Sequence, residues 1–258
     1  VVKMLRDTHT HLNDERYNNE VPEIIEDFKN YDLKKVICVG YDRPSSEKAV
    51  SLSKEYNEVY ATVAIHPHDA QNATEDDYVY FKKVAKEPKV VAYGEIGLDF
   101  YYDFSPKDIQ AKVFEQQLQV AYDCKLPVIL HVRDAYQKSY EILKANRDLL
   151  KYSGVMHCYS GSAEMVKMYA DLGLYISFSG VITFKNSNKR AVVEATPTDR
   201  LLIETDSPYL TPEPFRGKLN YPQYVKYVAE KVQEWLPHID VVKVNAENAH
   251  RLFTKLAN

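Results

Sequence analysis

The chain lacks several features that would assign its class at once. Its 258 residues include three cysteines, one tryptophan and no excess of positive charge. Cys38, Cys124 and Cys158 are far apart and form no C-x-x-C pair, which excludes a small disulfide scaffold and fits a reduced, cytoplasmic setting. No apolar run approaches the ~20 residues of a membrane-spanning helix, and the opening VVKMLRDTHTH lacks the apolar stretch of a signal peptide. Val1 stands ahead of Met4, so the sequence leaves open whether Val1 to Lys3 are native. Lys and Arg total 33 against 37 Asp and Glu, a formal net charge of -4. That balance argues against a protein that coats duplex DNA through many phosphate contacts, though a nuclease whose ions meet one phosphate remains compatible. The glycine-rich fingerprints G-x-G-x-x-G and G-x-x-x-x-G-K-[ST] are missing, which removes the commonest nucleotide-cofactor sites.

What is present is ordinary globular material, 45% hydrophobic and 27% charged. The 21 tyrosines are read first as packing between helices and sheet, with the hydroxyl at the surface. Short β-rich runs alternate with amphipathic segments. VPEIIEDFKNYD puts Val21, Ile24, Ile25 and Phe28 on one helical face, and a buried strand is expected from Lys34 to Tyr41. Further strands are expected over Val59 to Pro67, Lys89 to Gly97, Leu126 to Arg133, Gly154 to Gly161, Leu174 to Gly180 and Asp199 to Asp206, each followed by a helix. Ser105 and Asp134 are expected to cap their helices, Gly173 to end one, and closing helices to lie near Pro222 to Trp235 and Asn245 to Lys255. With the strand that contains DTHTH there are eight strand–helix repeats, which predicts an α/β fold with a single (β/α)8 barrel domain over residues 1–258.

In a barrel the chemistry sits where the strands end. LRDTHTHLND places Asp7, His9 and His11 on one face of the first strand. An H-x-H pair by itself is weak evidence, because an isolated histidine is more often a hydrogen-bonded core residue. Other strands, however, end at His66, Glu95, His131, His157 and Asp206, so the polar residues recur at one position of the repeat. Four imidazoles (His9, His11, His131, His157) and two carboxylates (Glu95, Asp206) exceed the needs of one tetrahedral ion. They suit two divalent ions that share a bridging carboxylate and sit roughly 3.5–4 Å apart, an arrangement for hydrolysis.

The sequence resembles the TatD family of metal-dependent deoxyribonucleases across nearly its whole length. The resemblance is carried by DTHTHL, AIHPHDA (64–70), GEIGLDFY (94–101), LPVILHVRDA, GVMHCYSG, LLIETDSPYL and FRGKLNYP (215–222). It implies that His9, His11 and Asp206 hold one ion, that His131 and His157 hold the other, and that Glu95 bridges them. A Glu suits that bridge because each oxygen can meet a cation. Asp206 is expected to accept a proton from the attacking water as well, and Glu204, on the same face of a regular strand, to orient a ligand or relay the proton. His66, Arg133, Arg216 and Lys218 are candidate substrate or phosphate contacts. His68 reads as a turn residue and Cys158 as a packed thiol facing away from His157. Asp7 is expected to orient a histidine or cap the barrel interior, and Asp99 and Tyr101 to shape the mouth. The function implied is phosphodiester hydrolysis of DNA, or of RNA ends, with Mg, Mn or Zn. The alternatives are a hydrolase of a small ester, amide or lactone, or of aminoacyl-tRNA, and a metal-bound scaffold. No membrane contact and no obligate protein partner are expected.

Overall fold

The computed structural model describes residues 4–256. Eight strands run parallel, each paired with the next in chain order: β1 (Leu5–Thr10), β2 (Leu33–Val39), β3 (Val59–Val63), β4 (Val90–Asp99), β5 (Val128–Arg133), β6 (Gly154–Met156), β7 (Tyr175–Phe178) and β8 (Leu201–Ile203). Helices α1 (Val21–Asp27), α2 (Arg43–Glu55), α3 (Glu75–Val84), α4 (Lys107–Asp123), α5 (Tyr136–Ala145), α6 (Ala163–Asp171) and α7 (Arg190–Ala195) stand between them. Helices α8 (Val225–Trp235) and α9 (Val241–Leu252) follow the last strand. This is a nearly closed (β/α)8 barrel. Among the described residues, no helix is long and apolar enough to cross a membrane.

Strand alternation divides the core into two layers. Val36, Cys38, Val59, Ala61, Val63, Leu201 and Ile203 cluster with helical residues such as Phe114, Val166 and Val232. The alternate positions Ile37, Val39, Tyr60, Val155 and Leu202 form a second cluster, joined by Leu252, Phe253 and Leu256 at the end of the described chain. Burying apolar side chains on both faces of a parallel sheet accounts for its near-continuous Val, Ile and Leu runs.

The seam between β1 and β8 is stitched differently from the other pairings. Backbone bonds run from His11 N to Ser207 O and from Asp206 N to His9 O, each 2.8 Å. Side chains add the rest. Thr8 donates its hydroxyl to Ile203 O at 2.9 Å. Asn245 of α9 accepts from Ile203 N and donates to Arg6 O, each at 3.0 Å, and so bridges the two strands. Asp7 accepts both the backbone N–H and the hydroxyl of Thr205, together with the N–H of His9.

The structure corrects several local expectations. Helix α4 begins at Lys107 after Pro106, so Ser105 is not its cap; the Ser105 hydroxyl instead donates to His68 O and accepts from Gln71 N, tying two loops together. Asp134 does not cap α5 either, since Ala135 precedes the helix and Asp134 takes a positive φ of 52°. Helix α9 starts earlier than expected, behind Asp240, whose carboxylate accepts from Lys243 N. Strands β6 and β8 stop after three residues, so His157, Cys158, Glu204 and Asp206 all lie on the turns beyond them. Gly173 does end α6: its φ is 87°, its N–H reaches Ala170 O and the next N–H reaches Tyr169 O, the paired bonds of a Schellman stop.

Candidate metal centre

Five strand ends deliver the six candidate donor side chains to one place. His9 comes from β1, Glu95 from β4 and His131 from β5, while His11, His157 and Asp206 follow β1, β6 and β8. All but His9 line a cavity of about 830 Å³ at the barrel mouth; His9 is 1% exposed and lies beneath. Glu95 occupies the middle and turns one oxygen to each side. Its Oε2 lies 3.6 Å from His9 Nε2 and 3.9 Å from His11 Nε2, and its Oε1 lies 2.8 Å from His157 Nε2 and 3.0 Å from His131 Nδ1. Asp206 Oδ1 closes the first group at 3.4 Å from His9 Nε2 and 3.2 Å from His11 Nε2. Two donor sets whose atoms lie within 4.8 Å of one another result: His9, His11 and Asp206, and His9, Glu95 and His157.

Outer partners fix which nitrogen each ring presents. His11 Nδ1 meets Val39 O at 3.0 Å, His157 Nδ1 meets Glu204 Oε1 at 3.0 Å, and His131 Nε2 meets Asp99 Oδ2 at 2.9 Å. In each case the opposite nitrogen faces Glu95 or Asp206, and a carboxylate or carbonyl behind a ligating imidazole raises its basicity. His9 has no such partner. Its ring stacks on His157 at 3.9 Å, and both of its nitrogens are buried without a hydrogen bond. A buried imidazole in that condition destabilises the fold, and a cation beside Asp206 and Glu95 would give its Nε2 a partner. By this test the donor set fits a divalent ion.

The charges are strongly perturbed. Burial opposes the charged form of every group, yet nearby histidines hold Glu95 well below the usual carboxylate range, and His11 and His9 hold Asp206 below it. Burial likewise opposes protonation of His157, His131 and His11, but Glu95, Asp99 and Asp206 respectively outweigh it and raise all three. His66 goes the other way: burial, then His131, push it well below the usual imidazole range. It is therefore neutral. Its Nδ1 accepts from His68 N at 3.0 Å, so the proton is assigned to Nε2, 3.7 Å from Glu95 and facing the cavity.

Of the residues singled out in the sequence, Arg133 and His66 line the cavity, whereas Arg216 and Lys218 do not. The Arg216 guanidinium donates to Thr211 O and lies 3.8 Å over the Phe184 ring, and Lys218 Nζ lies 5.9 Å over Phe215. Glu204 is 1% exposed and touches His157 rather than the cavity. The chain turns after β8, so Glu204 and Asp206 do not share a strand face. Asp7 does not reach a histidine ring; it holds Thr205 across the seam, and burial keeps its pKa well above the usual range despite those bonds. Cys158 also departs from expectation. With φ of 45° beyond β6 it lines the cavity, its Sγ lies 3.1 Å from Ser179 Oγ, and burial raises the thiol to about 12.

Sequence reasoning undervalued His68 and Asp99. Asp99 Oδ2 meets His68 Nε2 and His131 Nε2, each at 2.9 Å, and a further donor set combines His66, His68 and His131. The only signal available was parity, since Asp99 stands four residues after Glu95 in the strand that carries it.

A family model described as TatD related DNase matches residues 6–254. The chain belongs to the TatD family. It is 46% identical over 253 residues to the uncharacterized metal-dependent hydrolase YabD of Bacillus subtilis, which covers 97% of this chain and 99% of that protein. It is 33% identical over 213 residues to the 3′-5′ ssDNA/RNA exonuclease TatD of Salmonella typhimurium, covering 79% and 80% of the two chains. Its fold superposes on the crystal structure of the TatD homologue YjjV from Escherichia coli with a TM-score of 0.92, at 27% identity and 98% and 99% coverage. This TatD-family chain is accordingly a metal-dependent hydrolase.

Proposed function

We propose that this TatD-family hydrolase cleaves phosphodiester bonds of nucleic acid, DNA first and RNA ends as well, with two divalent ions of Mg, Mn or Zn. The observation that carries the reading is the placement of Glu95 between two groups of donors, with one oxygen toward each. His9, His11 and Asp206 would hold one ion, His131 and His157 the other, and Glu95 both. Such ions supply Lewis acidity toward a phosphoryl oxygen and make water acidic enough to react near neutral pH.

The chain's own residues supply the rest. Asp206, held ionised and lining the cavity, accepts the proton of the attacking water as the new P–O bond forms and the bond to the departing oxygen breaks. Glu204 and Asp99 are positioning residues that fix the rings of His157 and His131. His66 offers its Nε2–H to a phosphate oxygen. Arg133, exposed at the rim, steadies a flanking phosphate.

The test is to strip the purified protein of metal, reload it with Mg, Mn or Zn separately, and assay end-labelled single- and double-stranded DNA and RNA. Shortening of a labelled strand with at least one metal, lost in His131→Ala and Asp206→Asn, is expected. Failure with all three metals refutes the reading, and turnover of small carboxylic esters in its place selects the alternative substrate class.

A further inference from the structure

Among the described residues, the exposed large hydrophobic side chains are not scattered. Met4 and Val79 stand apart, but Tyr101, Tyr102, Phe104 and Tyr209, at 58%, 46%, 59% and 50% exposure, stand in or beside the cavity mouth. Three of them belong to the loop between β4 and α4. The rings of Tyr102 and Phe104 stack, with centroids 5.3 Å apart and planes 20° apart. His68 meets both edge-on, at 5.5 Å from Tyr102 and 4.9 Å from Phe104. The Arg133 guanidinium lies 3.9 Å over Tyr101 and 4.9 Å over Tyr102.

An exposed aromatic loop could simply cover the helix beneath it, but then its rings would face inward. Here the backbone is pinned and the rings remain outside. Asp99 Oδ1 accepts the N–H groups of Tyr101 and Tyr102 at 3.1 and 3.0 Å, and Gln110 Nε2 donates to Asp99 O and Ser105 O. Gln71 Nε2 donates to Phe104 O. A fixed, solvent-facing π surface that begins at His68 and has a cation on its rim lacks one thing, a flat apolar partner. The cavity beside it suits a phosphodiester, so the partner is the base attached to that phosphodiester.

We propose that Tyr102 and Phe104, with Arg133 at their edge, form a stacking shelf for one base of an unpaired strand whose phosphodiester enters the cavity. The proposal deepens the nuclease reading and rests on it. A base in a duplex has both faces covered by its neighbours, so the shelf selects strands whose end nucleotide is free to swing onto the ring. Every base has a π face, so it tolerates sequence. Arg133 then acts on two parts of the ligand, its plane toward the aromatic face and its N–H groups toward phosphate.

The experiment uses the metal-loaded protein and a single strand that carries 2-aminopurine at its last nucleotide, each end in turn, beside the same strand with an abasic residue there. Stopped-flow fluorescence reads stacking before cleavage. The wild type is expected to quench 2-aminopurine and to favour the base-bearing strand. Phe104→Ala and Tyr102→Ala are expected to raise KM for that strand by roughly five- to 150-fold with little change in kcat, and to leave the abasic strand unaffected. Phe104→Trp should restore the preference. Both side chains are exposed, so folding is not at stake in these variants. A strand cut equally well with and without its terminal base, or alanine variants that lose the same factor on both, overturns the shelf while the nuclease reading stands. Quenching without cleavage overturns the nuclease reading and supports the shelf. Neither quenching nor cleavage overturns both.

Discussion

Replacing Glu204 with Gln keeps the shape of one contact and removes its charge. Glu204 Oε1 lies 3.0 Å from His157 Nδ1, and its Oε2 is buried without a partner. A glutamine oxygen still accepts from Nδ1–H, so the ring keeps its orientation and presents the same Nε2 to Glu95. What is lost is the field behind the imidazole. A unit charge about 4–5 Å from the ring centre is worth about 3–4 kcal/mol at an effective dielectric of ~20. Removing an outer partner of a ligating histidine commonly costs about 10- to 100-fold in metal affinity, or about 1.4–2.7 kcal/mol. Glu204→Gln is therefore expected to weaken metal binding at the His131–His157 side by that factor, measured by competition with a chelator. In the metal-free protein, the same substitution should lower the pKa of His157, read from its ring carbon–proton signal by NMR; Glu95, the stronger influence, keeps part of the elevation. Glu204→Ala should cost more, because it also leaves a buried Nδ1–H unpaired. If Glu204→Gln binds metal like the wild type and the titration of His157 is unmoved, Glu204 has no electrostatic part in the site.

The raised pKa values of His11, His131 and His157 set a pH dependence with opposite signs in the two forms. Metal needs unprotonated rings, so affinity should begin to fall on acidification above the ordinary imidazole value of ~6.5. The metal-free protein should instead lose stability as pH rises through the raised values, because the stabilisation of a group with an elevated folded pKa is complete only below its unfolded pKa. Chelator competition and thermal melts across that range check both, and a flat affinity profile would count against the donor assignment. Gly97→Ala tests the scaffold. Gly97 has φ of 145° and pairs with His131, and an added Cβ would lie 2.0 Å from His131 O. Strain and overpacking together should cost roughly 2–6 kcal/mol, seen as a fall in Tm of about 2–4 °C per kcal/mol and weakened metal binding; a wild-type melt would refute this.

The barrel and the convergence of the six candidate ligands were legible because both repeat. Each strand–helix unit carries its own hydrophobic period, and a histidine or carboxylate at the end of one strand gains meaning from those at the ends of others. What escaped was anything fixed by a turn. Glu204 reads as a neighbour of Asp206 only while the strand is taken to continue, and once the chain bends after Ile203 the two part company. Cys158 was misplaced for the same reason, at the end of a strand that stops at Met156. Arg216 and Lys218 were chosen for charge in a motif, which carries no information about direction, and their side chains turn to Phe184 and Phe215. Asp99 was visible as a polar residue after the GEIG stretch. Its double contact with His68 and His131 depends on where two other strand ends lie, and no local pattern records that.

The seam between the first and last strands bears on the order in which the chain is made. His9 and His11 emerge early in synthesis, while Asp206, the carboxylate that faces them, emerges after the last strand. Until then the two rings can face Glu95 of β4 but lack the carboxylate that completes their group, and β1 has only β2 for a neighbour. An ion held among the three would bind only a chain that has closed its ring, so metal capture would mark the end of folding rather than its beginning. A chain broken off before β8 would keep the histidine pair of its opening strand and lack the site.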